Sequence, residues 1–148
     1  MKTLDVDKAE ILRRLADLRP DSTRRWGKMS CHQMIVHLSD SFLLPLGEKQ
    51  VSRANLPVPR RVFKWVALYS PMKWPHGIAT RPEMEQGVGG TTPVEFSADR
   101  DKLVGLIERF CATNVQGAVH PMFDAMSEQD WKRWGYLHCD HHLRQFGV

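Results

Sequence analysis

Four stretches of this 148-residue chain set their apolar residues at helical spacing between start and stop signals, and none shows the period-two alternation of a half-buried strand. Residues 5 to 18 place Ile11, Leu12, Leu15 and Leu18 together and run into Pro20. The second stretch opens on the capping-box pair Ser30 and Gln33, continues through Met34, Leu38 and Phe42, and stops near Pro45 and Gly47. A third opens at Ser97, with Asp99 and Asp101 in its first turn, and turns Leu103, Leu106, Ile107 and Phe110 inward. The fourth is capped by Ser127, with Asp130 in the capping-box position, and ends at Gly147. Amphipathic helices without strands bury their stripes against one another. The pattern predicts an all-α protein, a four-helix bundle forming one domain over residues 1–148, with one long crossover between the second and third bundle helices.

The crossover, residues 48 to 96, holds most of the prolines and the run GVGGTTP, with a short helix allowed in RRVFKWVALYSPMKW. A connection this long inside one domain needs a reason to be ordered, so it is expected to wall or cover a site, with Glu83, Glu85 and Gln86 as lining residues. GVGG lacks the preceding strand and the following Lys-Ser/Thr of a phosphate-binding loop.

The polar start MKTLDVDKAE does not match a signal peptide, and no apolar run approaches the roughly 18 residues of a spanning helix. Cys31, Cys111 and Cys139 form no CxxC and are odd in number, which points to a reducing compartment, read as the cytoplasm. The net charge of +4 comes from scattered basic pairs such as Arg24-Arg25 and Arg60-Arg61. That distribution describes a solvated surface, with neither nucleic acid nor membrane as partner.

The chemistry-bearing residues are histidines. In the last helix His138 and His142 are one turn apart and share a face with Trp131, Trp134 and Gln145, while His141 lies at its edge. Imidazoles at i and i+4 stand roughly 5–6 Å apart at Cβ and can reach one ion. With seven histidines in the chain, about 0.3 such pairs arise by chance, so the spacing needs a third ligand to mean anything. His37 lies in the apolar stripe of the second helix, where a hydrogen-bonded core histidine is the ordinary reading.

The segments WGKMSCHQMIVHLSD (26–40), PEMEQGVGGTTPVEF (82–96) and HPMFDAMSEQDWKRWGYLHCDHHLRQFGV (120–148) resemble a branch of the DinB/YfiT-like superfamily. In that superfamily a four-helix bundle carries one histidine on helix two and an HxxxH pair on the last helix, together binding a divalent metal. The resemblance implies His37, His138 and His142 as ligands, with His141 extra to the pattern. Three neutral imidazoles leave a coordination position open, which suits a catalytic rather than a structural ion. Zinc fits best, and nickel and iron(II) also accept imidazole. The resemblance further implies an enzyme acting on a small molecule, through activation of a low-molecular-weight thiol or of water. A non-catalytic metal- or ligand-binding protein is the alternative. The oligomeric state, a homodimer included, is left open.

Other candidates have ordinary readings. Asp140 points away from the pair, and Asp40, three residues after His37, stands evenly between orienting an imidazole and being solvated. Cys139 reads as a small core residue, Trp131 and Trp134 as core packing, His32 as surface and His76 as loop packing. His120 either caps the last helix or reaches the site.

Overall fold

The computed structural model describes residues 1–148. The chain is mostly helical, with five helices and one small two-stranded sheet: α1 (Lys8–Ala16), α2 (Cys31–Leu43), α3 (Arg60–Tyr69), α4 (Phe96–Ala112), β1 (Val119–His120), β2 (Asp124–Ala125) and α5 (Glu128–Gln145). A 3-10 turn at Pro82–Met84 interrupts the segment between α3 and α4. The strands are antiparallel, pairing Val119 with Ala125 and His120 with Asp124. Two residues per strand lie below anything a period-two pattern can register, so this hairpin escapes the sequence reading. No helix is long and apolar enough to cross a membrane.

Helix α2 packs against both α4 and α5. Its N-terminus carries the expected capping box of Ser30 and Gln33. The helix buries Ser39, Asp40 and Ser41 as well as its apolar stripe. Ser39 and Ser41 tolerate this because their hydroxyls donate to the carbonyls of Ile35 (3.2 Å) and His37 (2.8 Å) one turn back. Helix α4 is capped two residues before Ser97, the expected opening residue. Glu95, not Ser97, is its cap, its carboxylate accepting from the amides of Ser97 (3.0 Å) and Ala98 (2.6 Å). Two oxygens satisfy two orphan amides where a hydroxyl satisfies one.

Helix α5 keeps the Ser127–Asp130 capping box. Its buried Lys132 donates to the carbonyls of Phe110 (2.6 Å), Cys111 (3.0 Å) and Thr113 (3.3 Å), closing the C-terminal end of α4. Asp130 also accepts from Lys64 (2.9 Å) and Tyr69 (2.5 Å), which clamps α3 onto α5. The glycine-rich run then folds back on itself. Gly89 and Gly90 donate to the carbonyls of Pro82 (3.0 Å) and Glu85 (2.9 Å), and a Cβ at either position would lie 2.6 or 2.9 Å from those same oxygens. Only glycine permits that approach.

Candidate metal centre

Helix α2 carries His37 and helix α5 carries His138 and His142, and the contact of the two helices brings the three imidazoles together. One ring nitrogen from each lies within 4.8 Å of the others. Ring centroids are 5.4 Å apart for His37–His138, 4.9 Å for His37–His142 and 4.9 Å for His138–His142. A tetrahedral ion with metal–nitrogen bonds of about 2.0–2.1 Å requires ligand nitrogens about 3.3 Å apart and centroids about 5 Å apart. The Nε2 atoms of His138 and His142 already stand 3.2 Å apart.

Hydrogen bonds decide which nitrogens are free. His37 Nδ1 lies 3.0 Å from the carbonyl oxygen of Met84, which can only accept, so Nδ1 carries the proton and Nε2 keeps its lone pair. His142 Nδ1 lies 3.0 Å from Gln145 Oε1, and Gln145 Nε2 in turn donates to the carbonyl of Trp26 (2.8 Å). That orientation of the amide makes Oε1 an acceptor and leaves His142 Nε2 unprotonated as well. The bare nitrogen of His142 faces His138 Nε2, and two lone pairs at that distance repel unless a proton or a cation lies between them. The remaining nitrogen, His138 Nδ1, is buried without a partner.

All three rings are held neutral. Burial depresses His37, and it pushes His138 and His142 well below the ordinary imidazole range, reinforced by the neighbouring histidines. Three rings without net positive charge suit a cation.

The surrounding residues follow the sequence reading in part. Trp131 and Trp134 are core residues as expected, and the Trp134 ring stands 5.0 Å from His138 as the floor of the cluster. Cys139 is buried, its thiol pushed far above the usual range by desolvation. His120 neither caps α5 nor joins the three ligand candidates. It stacks on Phe123 at 4.3 Å, accepts from the Met122 amide (3.2 Å), and burial holds its pKa at about 3. His32 is only partly exposed, its Nε2 lying 2.7 Å from Asp99 on α4. Asp40 makes no hydrogen bond to His37. It accepts from the Thr91 amide (2.8 Å) and hydroxyl (2.6 Å), tying the glycine-rich turn to α2.

The crossover does reach the histidines, but not through the side chains the sequence suggested. Glu83 accepts from the Ser52 amide (2.9 Å), Glu85 is exposed, and Gln86 donates to the Thr91 carbonyl. What arrives is the Met84 carbonyl and the Trp74 ring, 5.9 Å from His138 and 6.0 Å from His141. A main-chain carbonyl has no sequence signature, so nothing in the composition of the crossover pointed to Met84. Gln145, on the histidine face of α5, was legible by its spacing but not by its role. Two open clefts, of about 480 and 510 Å³, lie elsewhere, one beside the hairpin at Val119–Ala125 and one at the start of α5.

A close approach at Gly27 tests the support of His142. Its φ is +84°, and a Cβ there would lie 2.2 Å from Gln145 Nε2. Gly27→Ala is therefore expected to displace the amide from both Trp26 and His142 and, if the three histidines hold zinc, to weaken its affinity by about 10–100-fold, as loss of a supporting hydrogen bond does. Stability falls by about 1–2 kcal/mol for the left-handed backbone. Calorimetric titration and a thermal melt check both, and an unchanged zinc affinity would mean that Gln145 does not orient the ring.

Comparison with known proteins gives one assignment. A family model described as a protein of unknown function (DUF1569) matches residues 3–147, a span that includes all five helices, the hairpin and the three clustered histidines. No curated protein and no solved structure matches the chain. With the match running over almost the entire length, the chain belongs to the DUF1569 family.

Proposed function

We propose that the protein is a metal-dependent enzyme of the DinB/YfiT-like kind, in which α1, α2, α4 and α5 act as a four-helix bundle and His37, His138 and His142 hold one divalent ion. One observation carries the reading: three neutral imidazoles from two helices converge, two of them with Nδ1 engaged by Met84 and Gln145 so that Nε2 is free. Metal-binding histidines are ordinarily fixed in this way. Zinc is the favoured ion, with nickel or iron(II) compatible with imidazole. When bound, such an ion supplies Lewis-acid activation of a low-molecular-weight thiol, for transfer to an electrophilic small molecule, or of water for hydrolysis. The protein's own part is to fix the three rings, keep them unprotonated and exclude bulk water with Trp74 and Trp134. The cytoplasm is the proposed location, consistent with three free cysteines.

A second reading has its own support, since neither open cleft is lined by the histidines. A non-catalytic protein that holds the ion, or a ligand through it, needs no substrate cleft. Elemental analysis of protein purified without an affinity tag tests what both share, with an expected ratio near one ion per chain. A ratio near zero, persisting after incubation with zinc, overturns both. Turnover with thiols and electrophiles, or with esters and amides, separates the enzyme from the binding protein.

A further inference from the structure

Two histidines lie outside the three-ligand cluster yet form a line toward it. His76 is exposed in the crossover, its ring stacked on Trp26 at 4.0 Å and 5°. His141 is buried, and its Nδ1 has no hydrogen-bond partner. Their centroids are 6.5 Å apart, and the His141 ring stands 5.1 Å from that of His142. Imidazole rings thus step from solvent at His76, through His141, to His142 and its neighbours, while Trp26 and Trp74 flank His141 at 6.0 Å each. Packing alone accounts poorly for an unpartnered polar nitrogen in that wall, because burying it without a hydrogen bond costs free energy that a phenyl ring of similar shape would not.

We infer that His76 and His141 form an outer two-imidazole site that captures a divalent cation from solvent and passes it to His37, His138 and His142. This rests on the three-histidine reading and extends it to how the site is loaded. A cation cannot cross an aromatic wall stripped of its hydration without replacement ligands, and two imidazoles offer them. Two ligands hold an ion more weakly than three, so the ion is handed on rather than trapped. His141 neighbours His142 in sequence but lies outside the group whose nitrogens converge within 4.8 Å, as a relay requires.

A relay leaves a kinetic signature that a ligand or a packing residue does not. A residue on the path but absent from the final site changes no equilibrium constant, so its loss slows uptake and release by the same factor. Zinc(II) is mixed in stopped flow with the metal-free full chain and followed by a chromogenic zinc indicator, and release is followed by transfer to a strong chelator. His76→Ala, on an exposed loop, and His141→Phe, which keeps the ring volume, are expected to slow both directions several-fold while stoichiometry and dissociation constant stay those of the parent. Uptake and release by His76→Ala at the parent rates would overturn the proposal. So would a His141→Phe protein that folds but loses stoichiometric zinc, since His141 would then be a ligand. A parent chain that takes up no zinc at all would instead sink the three-histidine reading on which this one stands.

Discussion

Replacing His37, His138 or His142 singly by Ala is expected to empty the site, and to nearly the same extent in each case. The three rings come from two helices and converge within 4.8 Å, so in the proposed site each would supply one of only three protein donors. Losing a donor costs more than the roughly 10–100-fold in affinity that losing a supporting hydrogen bond costs. The variants stay helical, because the core of apolar side chains around α2, α4 and α5 does not depend on the ion. They lose instead the stabilisation that a ligand of the folded state confers, about 2.7 kcal/mol where zinc stands at a hundredfold excess over its dissociation constant. His32→Ala and His141→Ala are the controls and keep their zinc at equilibrium. Elemental analysis, circular dichroism and melting with and without zinc decide the matter. If His141→Ala empties the site while His142→Ala does not, the pair one turn apart has been misassigned.

The metal-free protein is expected to lose stability and unfold in acid, the loss beginning as pH falls below about 6.5. Burial holds five imidazoles below their ordinary range: His37, His138 and His142, His120 at about 3 and His141 at about 4. The unfolded chain protonates these groups near pH 6.5 while the folded chain does not, so stability is complete above that value and is lost as pH falls toward the folded values. Each imidazole that stays neutral in the folded chain adds to this loss, so a group of five weighs heavily against the small net stability of an ordinary domain. The carboxylates of Asp99 and Asp130 do not account for this window. Asp99 and Asp130 are held below the usual carboxylate range, Asp130 by Tyr69 and Lys64 and Asp99 by the Val94 amide and His32, so their contribution is lost only in stronger acid. Saturating zinc should lower the midpoint, because the ion competes with protons for the same nitrogens. A metal-free protein whose helical signal and melting temperature hold steady from pH 7.5 to pH 4.5 would show that these rings are not buried neutral.

The sequence by itself determined where α2 and α5 start. Ser30 with Gln33 and Ser127 with Asp130 are local devices, closing hydrogen bonds within four residues, so their geometry is written in their spacing. It likewise determined that His138 and His142 share a face, since one turn of helix separates them whatever surrounds the helix. His37 was a different matter. Its position in an apolar stripe fits a core histidine as well as a ligand, and the resemblance to a metal-binding superfamily, not its spacing, singled it out. Tertiary structure decided the rest, because it depends on groups far apart in the chain. The packing of α2 against α5 brings His37 to the pair. The fold-back of the crossover presents the Met84 carbonyl that fixes the His37 tautomer, and backbone atoms are the same at every residue, so no sequence pattern marks them. Asp40 finds Thr91, fifty-one residues away, rather than His37 one turn before it. A carboxylate that is buried must bond whatever donors the folded chain brings to it, and those donors exist only once the crossover has closed over α2.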